Sequence, residues 1–216
     1  MFKHETQVIK FLLQWYSLNA RKLPWRKKNN LNLPHPYFVF VSEYMLQQTT
    51  VNTVKNKFNE FILKWPSLNK LAQTSEPNIL EFWSGLGYYS RARNLLKSAK
   101  IIKNNFKNKI PKTYDELIQL PGIGDYTAKA ILGIGYNKSV MPLDANIERI
   151  LVRLHAIDKP INKVKNKLKD LGKKFISDKY SSNLIQSFMD YGSEICLPRN
   201  PKCNICGINK FCQSYK

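Results

Sequence analysis

Four cysteines, Cys196, Cys203, Cys206 and Cys212, crowd the last 21 residues of the chain in the spacing C-x6-C-x2-C-x5-C. Four thiolates suit a tetrahedral zinc ion, and Cys203 and Cys206 form a C-x2-C knuckle. They also suit a [4Fe-4S] cluster; the unequal spacing lacks the paired knuckles of a zinc ribbon and leans toward the cluster while leaving zinc open. Two disulfides are disfavoured, because a disulfide framework scatters its cysteines through a smaller, secreted chain. Basic residues surround the four, at Arg199, Lys202, Lys210 and Lys216, and would place positive charge where a phosphate could meet it.

A second candidate lies upstream. Thr113-Tyr-Asp-Glu116 is a capping box that opens a helix, and Leu120-Pro-Gly-Ile-Gly124 makes a tight turn before the next helix. Such a helix-hairpin-helix lets Gly122 and Gly124 bring the backbone close to a phosphate, with free amides of the following helix facing it. Beyond it, Asp144 precedes the periodic run Ile147, Ile150, Leu151 and Leu154. Asp144 sits where an N-cap belongs; the helix dipole would keep it ionised, and an ionised carboxylate can stabilise a cation.

The elements that must position these groups are helical. Val164, Leu168, Leu171 and Phe175 recur at helical spacing with lysines mostly on the other face. Prolines mostly precede periodic segments, and strand-like alternation is nearly absent. The chain therefore reads as all-α, with about ten helices of ordinary length. Its 216 residues, 43% hydrophobic and 12% aromatic, suffice for one sizeable core or two small ones and exclude disorder as the main state. No run approaches the roughly 20 apolar residues that cross a bilayer, and Met1 to Lys10 carries charges where a signal peptide has its apolar core. A soluble, cytoplasmic protein is expected. With 35 Lys and Arg against 15 Asp and Glu, a formal charge of +20 calls for a polyanionic partner such as nucleic acid.

The hairpin, Asp144 and the terminal cysteines together resemble the helix-hairpin-helix base-excision DNA glycosylases with an iron-sulfur cluster, the group that contains endonuclease III and adenine DNA glycosylase. Four stretches are similar to the adenine-specific branch: Leu23-Pro-Trp-Arg26, Ser42-Glu-Tyr-Met-Leu-Gln-Gln-Thr49, the run from Trp83 to Asn94, and Met189-Asp-Tyr-Gly192. The resemblance spans essentially the whole chain. It implies a [4Fe-4S] cluster on the four cysteines and a helix-hairpin-helix DNA glycosylase fold. A six-helix barrel domain is expected over residues 24–137, with residues 1–23 and 138–216 forming the cluster domain.

Such enzymes flip a nucleotide out of the stack and cut its N-glycosidic bond with two carboxyl groups. By resemblance Glu43 is the acid that protonates adenine at N7; its apolar neighbours Phe40, Val41, Met45 and Leu46 should raise its pKa. On residue type alone, Glu43 would be an exposed or salt-bridged helix residue. By the same resemblance Asp144 is the second carboxylate, an electrostatic stabiliser of the cationic sugar or a transient nucleophile on it, and Asn146 orients it. Tyr126 stands where endonuclease III carries its Schiff-base lysine, which implies a monofunctional hydrolase, with Lys129 the only nearby amine. Arg26 and Gln186 match positions that read adenine's edge, and Trp25 would line that pocket. Gln48 and Tyr88 match residues inserted into the duplex at the lesion, with Leu86 beside them, and Arg91 and Arg93 are expected on phosphates. Two departures stand out: a long loop between Arg26 and Glu43, and Ala145 where many relatives have glycine.

The resemblance thus implies a monomer that excises adenine opposite 8-oxoguanine or guanine in double-stranded DNA. A thymine or uracil mismatch glycosylase shares the fold, the cluster and Tyr126; Glu43 in its setting and Gln186 argue against it. A non-catalytic iron-sulfur DNA-binding module is disfavoured by intact Glu43 and Asp144. Adenine glycosylases usually carry a further C-terminal domain that helps read 8-oxoguanine. With the sequence ending at Lys216, weakened discrimination between A·8-oxoG and A·G is the expectation.

Overall fold

Caps and prolines, rather than long apolar runs, set where the helices begin. The computed structural model describes residues 3–215. In chain order its α-helices are α1 (Lys3–Asn19), α2 (Pro36–Leu46), α3 (Val51–Lys64), α4 (Leu68–Ala72), α5 (Glu76–Phe82), α6 (Ser90–Asn105), α7 (Tyr114–Ile118), α8 (Asp125–Ala130), α9 (Ala145–Leu154), α10 (Lys165–Lys173) and α11 (Ser181–Glu194). Among the described residues there is no strand, only one isolated bridge between Lys28 and Pro34 inside the long loop before α2. Thr50, Ser67, Ser75 and Thr113 each accept a backbone N–H from the first turn of α3, α4, α5 and α7. These closely spaced caps make two helices shorter than expected, α4 and α7 with 5 residues each.

The chain divides into two compact units, a central one of Lys22–Tyr136 and a flanking one of Met1–Arg21 with Asn137–Lys216. In the central unit α2 is apolar nearly all round, burying Tyr37, Val39, Phe40, Val41, Tyr44 and Met45. A helix of that kind must be wrapped, and it packs against α3, α6, α8 and the π-helical turn Ile131–Gly135 that continues α8. A Cβ on Gly135 would lie 3.3 Å from the Pro36 Cα, so the small residue admits the start of α2. Phe58 and Phe61 of α3 are fully buried, each such side chain contributing roughly 1.5–3 kcal/mol relative to exposure.

In the flanking unit α11 is the central helix and packs against α1 and α9, while α10 packs on α9. Phe11 and Trp15 of α1 meet Tyr191 edge-on, with centroids 5.8 and 5.0 Å away. Asp190 is completely buried and holds Arg21, whose Nε lies 2.5 Å from Oδ1 and whose backbone N–H donates to Oδ2. Helix α10 buries Val164 at its cap with Leu168 and Leu171, and leaves Lys165, Lys167 and Lys169 exposed. No described helix is long and apolar enough to cross a membrane.

Candidate active site

Glu43 lies on the buried helix α2 and is only 7% exposed. One turn further the helix ends and the backbone enters the left-handed region at Gln48, φ 56°, which leaves that side chain exposed. A second turn, between α5 and α6, is left-handed at Gly85, Gly87 and Tyr88, with φ of 87°, 70° and 45°. Tyr88 is 61% exposed there. A non-glycine residue held at positive φ stores about 1–3 kcal/mol of strain and persists only where its surroundings enforce it. Gln48 and Tyr88 are both such residues.

The hairpin between α7 and α8 forms with its capping box: Thr113 and Glu116 each cap the other's backbone N–H. Gly122 adopts φ 81°, and a Cβ there would meet Asn94 and Tyr44 at 3.0 Å. Tyr44 and Ser98 donate to the Pro121 carbonyl at 2.5 and 3.1 Å, and Gln47 donates to the Gly122 carbonyl at 3.1 Å. Gly124 has ordinary extended backbone as the cap of α8, where Tyr126 is half-buried in the first turn. Lys129 is ion-paired with Asp125 at 2.8 Å.

In the flanking unit Asp144 caps α9. Its Oδ1 accepts the Ile147 N–H at 2.7 Å, and its Oδ2 accepts from Asn146 Nδ2 at 3.0 Å. Arg149 Nη2 then donates to Asn146 Oδ1 at 2.8 Å and to the Gly192 carbonyl at 2.6 Å, while Nε donates to the Cys196 carbonyl at 2.7 Å. A continuous chain of hydrogen bonds therefore runs from the Asp144 carboxylate to the first cysteine. Burial raises the Asp144 pKa above the ordinary carboxylate value, opposed by the Ile147 and Asn146 hydrogen bonds. Desolvation therefore works against the helix dipole and the hydrogen bonds that favour the ionised carboxylate. Gly192 is required by closeness: a Cβ there would fall 2.6 Å from Asn146 Cβ. Gln186 is 2% exposed; its amide N–H donates to the Ser182 carbonyl at 3.0 Å, and its buried Oε1 has no partner.

All four cysteine thiols line one small cavity with Ile150, Leu154 and Ile208. Tyr191 donates its hydroxyl to Cys206 Sγ at 3.2 Å and Arg153 donates to Cys196 Sγ at 3.3 Å. Burial pushes the Cys206 and Cys212 thiols up, and neighbouring cysteines add to the rise. Four cysteines round one cavity are the donor set that an iron-sulfur cluster or a zinc ion takes. Among the described residues no three His, Cys, Asp or Glu side chains are placed to hold a single metal ion. Arg199, Lys202 and Lys210 are exposed around the cavity, and Lys216 lies outside the described residues.

Three expected DNA contacts are placed differently. Arg91 is 4% exposed and donates to backbone carbonyls, so it is not a phosphate ligand in this structure; in a helix rich in Lys and Arg it reads as surface, but its partners are distant in sequence. Trp25 is 7% exposed and packs edge-on against Phe58 at 5.5 Å, in the core rather than lining an open pocket. Leu86 is 6% exposed and faces inward beneath the turn. Arg26 is half-buried in the short turn Pro24–Arg26, and Arg93 is exposed beside Glu76 at 2.9 Å. Sequence reasoning missed Arg149 and Arg153. Their spacing of four, with Asn146 three before Arg149, puts all three on one face of α9, and that was the available signal.

With this geometry the chain can be placed. The family model of the HhH-GPD superfamily of base excision DNA repair proteins matches residues 41–174, and the chain belongs to that family. Adenine DNA glycosylase of Buchnera aphidicola subsp. Baizongia pistaciae is 45% identical over 206 residues, covering 94% of this chain and 57% of the relative. The adenine DNA glycosylase of Rattus norvegicus is 38% identical over 211 residues, covering 95% and 41%. The chain spans little more than half the length of the first of these relatives and less of the second. A solved thermostable thymine-DNA glycosylase superposes with a TM-score of 0.88 at 25% identity, covering 99% of this chain and 97% of that one. An endonuclease III trapped on DNA superposes with a TM-score of 0.78 at 18% identity, covering 100% and 98%. The all-α helix-hairpin-helix glycosylase fold is thereby established. Proteins of this endonuclease III-like fold typically carry an iron-sulfur cluster.

Proposed function

We propose that the chain is a monofunctional DNA glycosylase that removes adenine mispaired with 8-oxoguanine or guanine from double-stranded DNA. The hydrogen-bonded chain Asp144–Asn146–Arg149 carries the reading, because it holds a carboxylate fixed at a helix N-terminus with one amide dedicated to it. Glu43, as the acid, gives its proton to adenine N7, and the electrons of the glycosidic bond pass to the base. Asp144, ionised, stabilises the oxocarbenium-like sugar until water adds at C1′ and gives its proton to the Glu43 carboxylate, leaving an abasic site, free adenine and the acid restored. The buried, unpartnered Oε1 of Gln186 suits a donor such as the adenine amino group. Tyr126 cannot form an imine, and the Lys129 amine is engaged as a cation by Asp125.

Cys196, Cys203, Cys206 and Cys212 would hold a [4Fe-4S] cluster, which when bound would cross-link and brace the last loops through its four thiolate ligands. The names of the relatives support adenine as the base, and the exposed basic surface supports DNA as partner. A thymine mismatch glycosylase is the second reading, favoured by the likeness to the thermostable thymine-DNA glycosylase. Single-turnover incubation with duplexes carrying A·8-oxoG, A·G, T·G and U·G, each with and without hot alkali, separates the two. Strand breaks at A that appear only after alkali are expected. An uncut A strand overturns the proposal, and breaks without alkali overturn its monofunctional part. Iron and sulfide with a brown colour are expected on purification; a colourless protein with one zinc overturns the cluster.

A further inference from the structure

The Arg91 guanidinium is buried without a carboxylate partner. Its Nη1 donates to the carbonyls of Met45 at 2.8 Å, Tyr44 at 3.3 Å and Gln47, and its Nη2 donates to the carbonyls of Leu86 at 2.7 Å and Gly87 at 3.0 Å. The first three are carbonyls of the last turn of α2 and its cap, where a helix presents partial negative charge and accepts a cation. The last two belong to the turn that carries Tyr88. The guanidinium also lies 5.6 Å from the ring centroids of Trp83 and Tyr88. Trp83 Nε1 donates to the same Gly87 carbonyl at 3.1 Å.

One side chain thus grips two segments that each hold an exposed residue at strained positive φ, Gln48 on one side and Tyr88 on the other. Only a planar fork with several donors can serve two sets of carbonyls at once; a lysine is a point charge with three donors and cannot span them. We propose that Arg91 is a positioning residue that locks the Gln48 turn to the Tyr88 turn, so that both side chains are set for the mispair before DNA arrives. Arg91 does not touch the base or the phosphates. Its guanidinium offsets the strain that the two turns carry in the free protein.

The proposal rests on the reading of the chain as a mispair-reading glycosylase, and its test separates the two. The purified full chain with its cofactor is compared with Arg91→Lys, Tyr88→Ser and the double variant. Each is measured for the ratio of affinities between a duplex carrying a non-cleavable adenine opposite guanine and a fully paired duplex. Arg91→Lys and Tyr88→Ser should each lower that ratio about tenfold, and the double variant should be no worse than the singles, because both act through one turn. Additive losses overturn the proposal. So does a salt dependence on paired duplex that weakens by about 0.9 in slope, the mark of one lost phosphate contact.

Hydrogen exchange without DNA supplies the independent arm: Arg91→Lys should lose protection over residues 47–49 and 85–88 and keep it in α7 and α8. Unchanged exchange at the two turns overturns the proposal even if the wild type prefers no mispair, an outcome that would overturn the glycosylase reading instead. Should Arg91→Lys fail to fold, Gly87→Ala carries the test. Its Cβ has open space but must adopt φ +70°, so it moves the turn off an intact Arg91. The same tenfold loss is expected, and wild-type preference overturns the proposal.

Discussion

Arg91 in the central unit and Arg149 in the flanking unit both aim their guanidinium donors at backbone carbonyls, yet one fixes two turns and the other fixes a side chain. Arg91 reaches five carbonyls and no side-chain acceptor. Arg149 divides its donors between the carbonyls of Ala145, Gly192 and Cys196 and the amide oxygen of Asn146, which in turn holds Asp144. The difference separates recognition from reaction: disturbing Arg91 should change which duplex is held, and disturbing Arg149 should change how fast a held duplex reacts. Neither arginine is a free surface cation, so part of the +20 charge is internal scaffolding rather than attraction for a polyanion.

The largest effect should come from Asp144→Asn. Asparagine caps a helix as well as aspartate, so α9 keeps its start while the sugar loses its anion, and excision should fall at least ~10³-fold in single-turnover assays. Stability should move the other way. An acid whose folded pKa is raised costs stability where it is ionised, above that pKa, so Asp144→Asn should raise Tm at pH 7 and not at pH 3. A variant with undiminished excision would detach Asp144 from the reaction and leave the two arginine hubs with similar, structural roles.

Arg149→Lys comes next, with an expected slowing of ~10²-fold, the effect of a misplaced reacting group. Iron content and the mispair-to-paired affinity ratio should stay near wild type. A fall in that ratio instead would break the division of labour between the hubs. Gly192→Ala should imitate it, since the new methyl meets Asn146 at 2.6 Å, with an added stability cost of about 1–3 kcal/mol for the overlap.

These hubs also show where sequence reading stops. Thr113 with Glu116, the glycine turn at Gly122, the Asp144 cap and the cysteine spacing are local patterns, whose physics is contained in a few neighbouring residues, and the structure forms the caps and the turn and gathers the cysteines round one cavity. Arg91 differs because three of its five carbonyl partners, Tyr44, Met45 and Gln47, lie 44 to 47 residues away in α2 and the turn behind it. No periodicity in Ser90–Asn105 reveals that an arginine among basic neighbours is buried. Trp25 shows a similar limit: a tryptophan beside a proline turn fits a ligand wall as well as a core, and its packing partner, Phe58 of α3, is distant in sequence. The Asp144 pKa depends on burial, which no motif encodes.

A smaller effect lies in the pH profile of the reaction. If excision needs ionised Asp144, activity is lost as pH falls through its raised pKa, above the ordinary aspartate range. Asn146→Leu removes a hydrogen bond that pulls that pKa down, so the acid limb should move to still higher pH. Arg91→Lys should leave the limb in place, since the groups that shift Asp144 are Ile147, Asn146 and Arg149. A limb that moves equally in both variants would mean that it reports some other group.

The smallest effect is expected at Arg93, two residues from Arg91 and on the same helix. Its Nε meets Glu76 Oε1 at 2.9 Å, with the two side chains 46% and 48% exposed. An ion pair so exposed is screened and worth at most about 1 kcal/mol. Arg93→Gln should therefore leave Tm within about a degree or two of wild type, leave hydrogen exchange at residues 85–88 unchanged, and reduce the salt slope on paired duplex by about 0.9 or less. The neighbouring pair makes the contrast sharp: one arginine is silent in exchange and visible in salt, the other the reverse. If Arg93→Gln opened the Tyr88 turn as Arg91→Lys is expected to, that exchange signal would report the charge of α6 in general, and the buried fork of Arg91 would lose its special place.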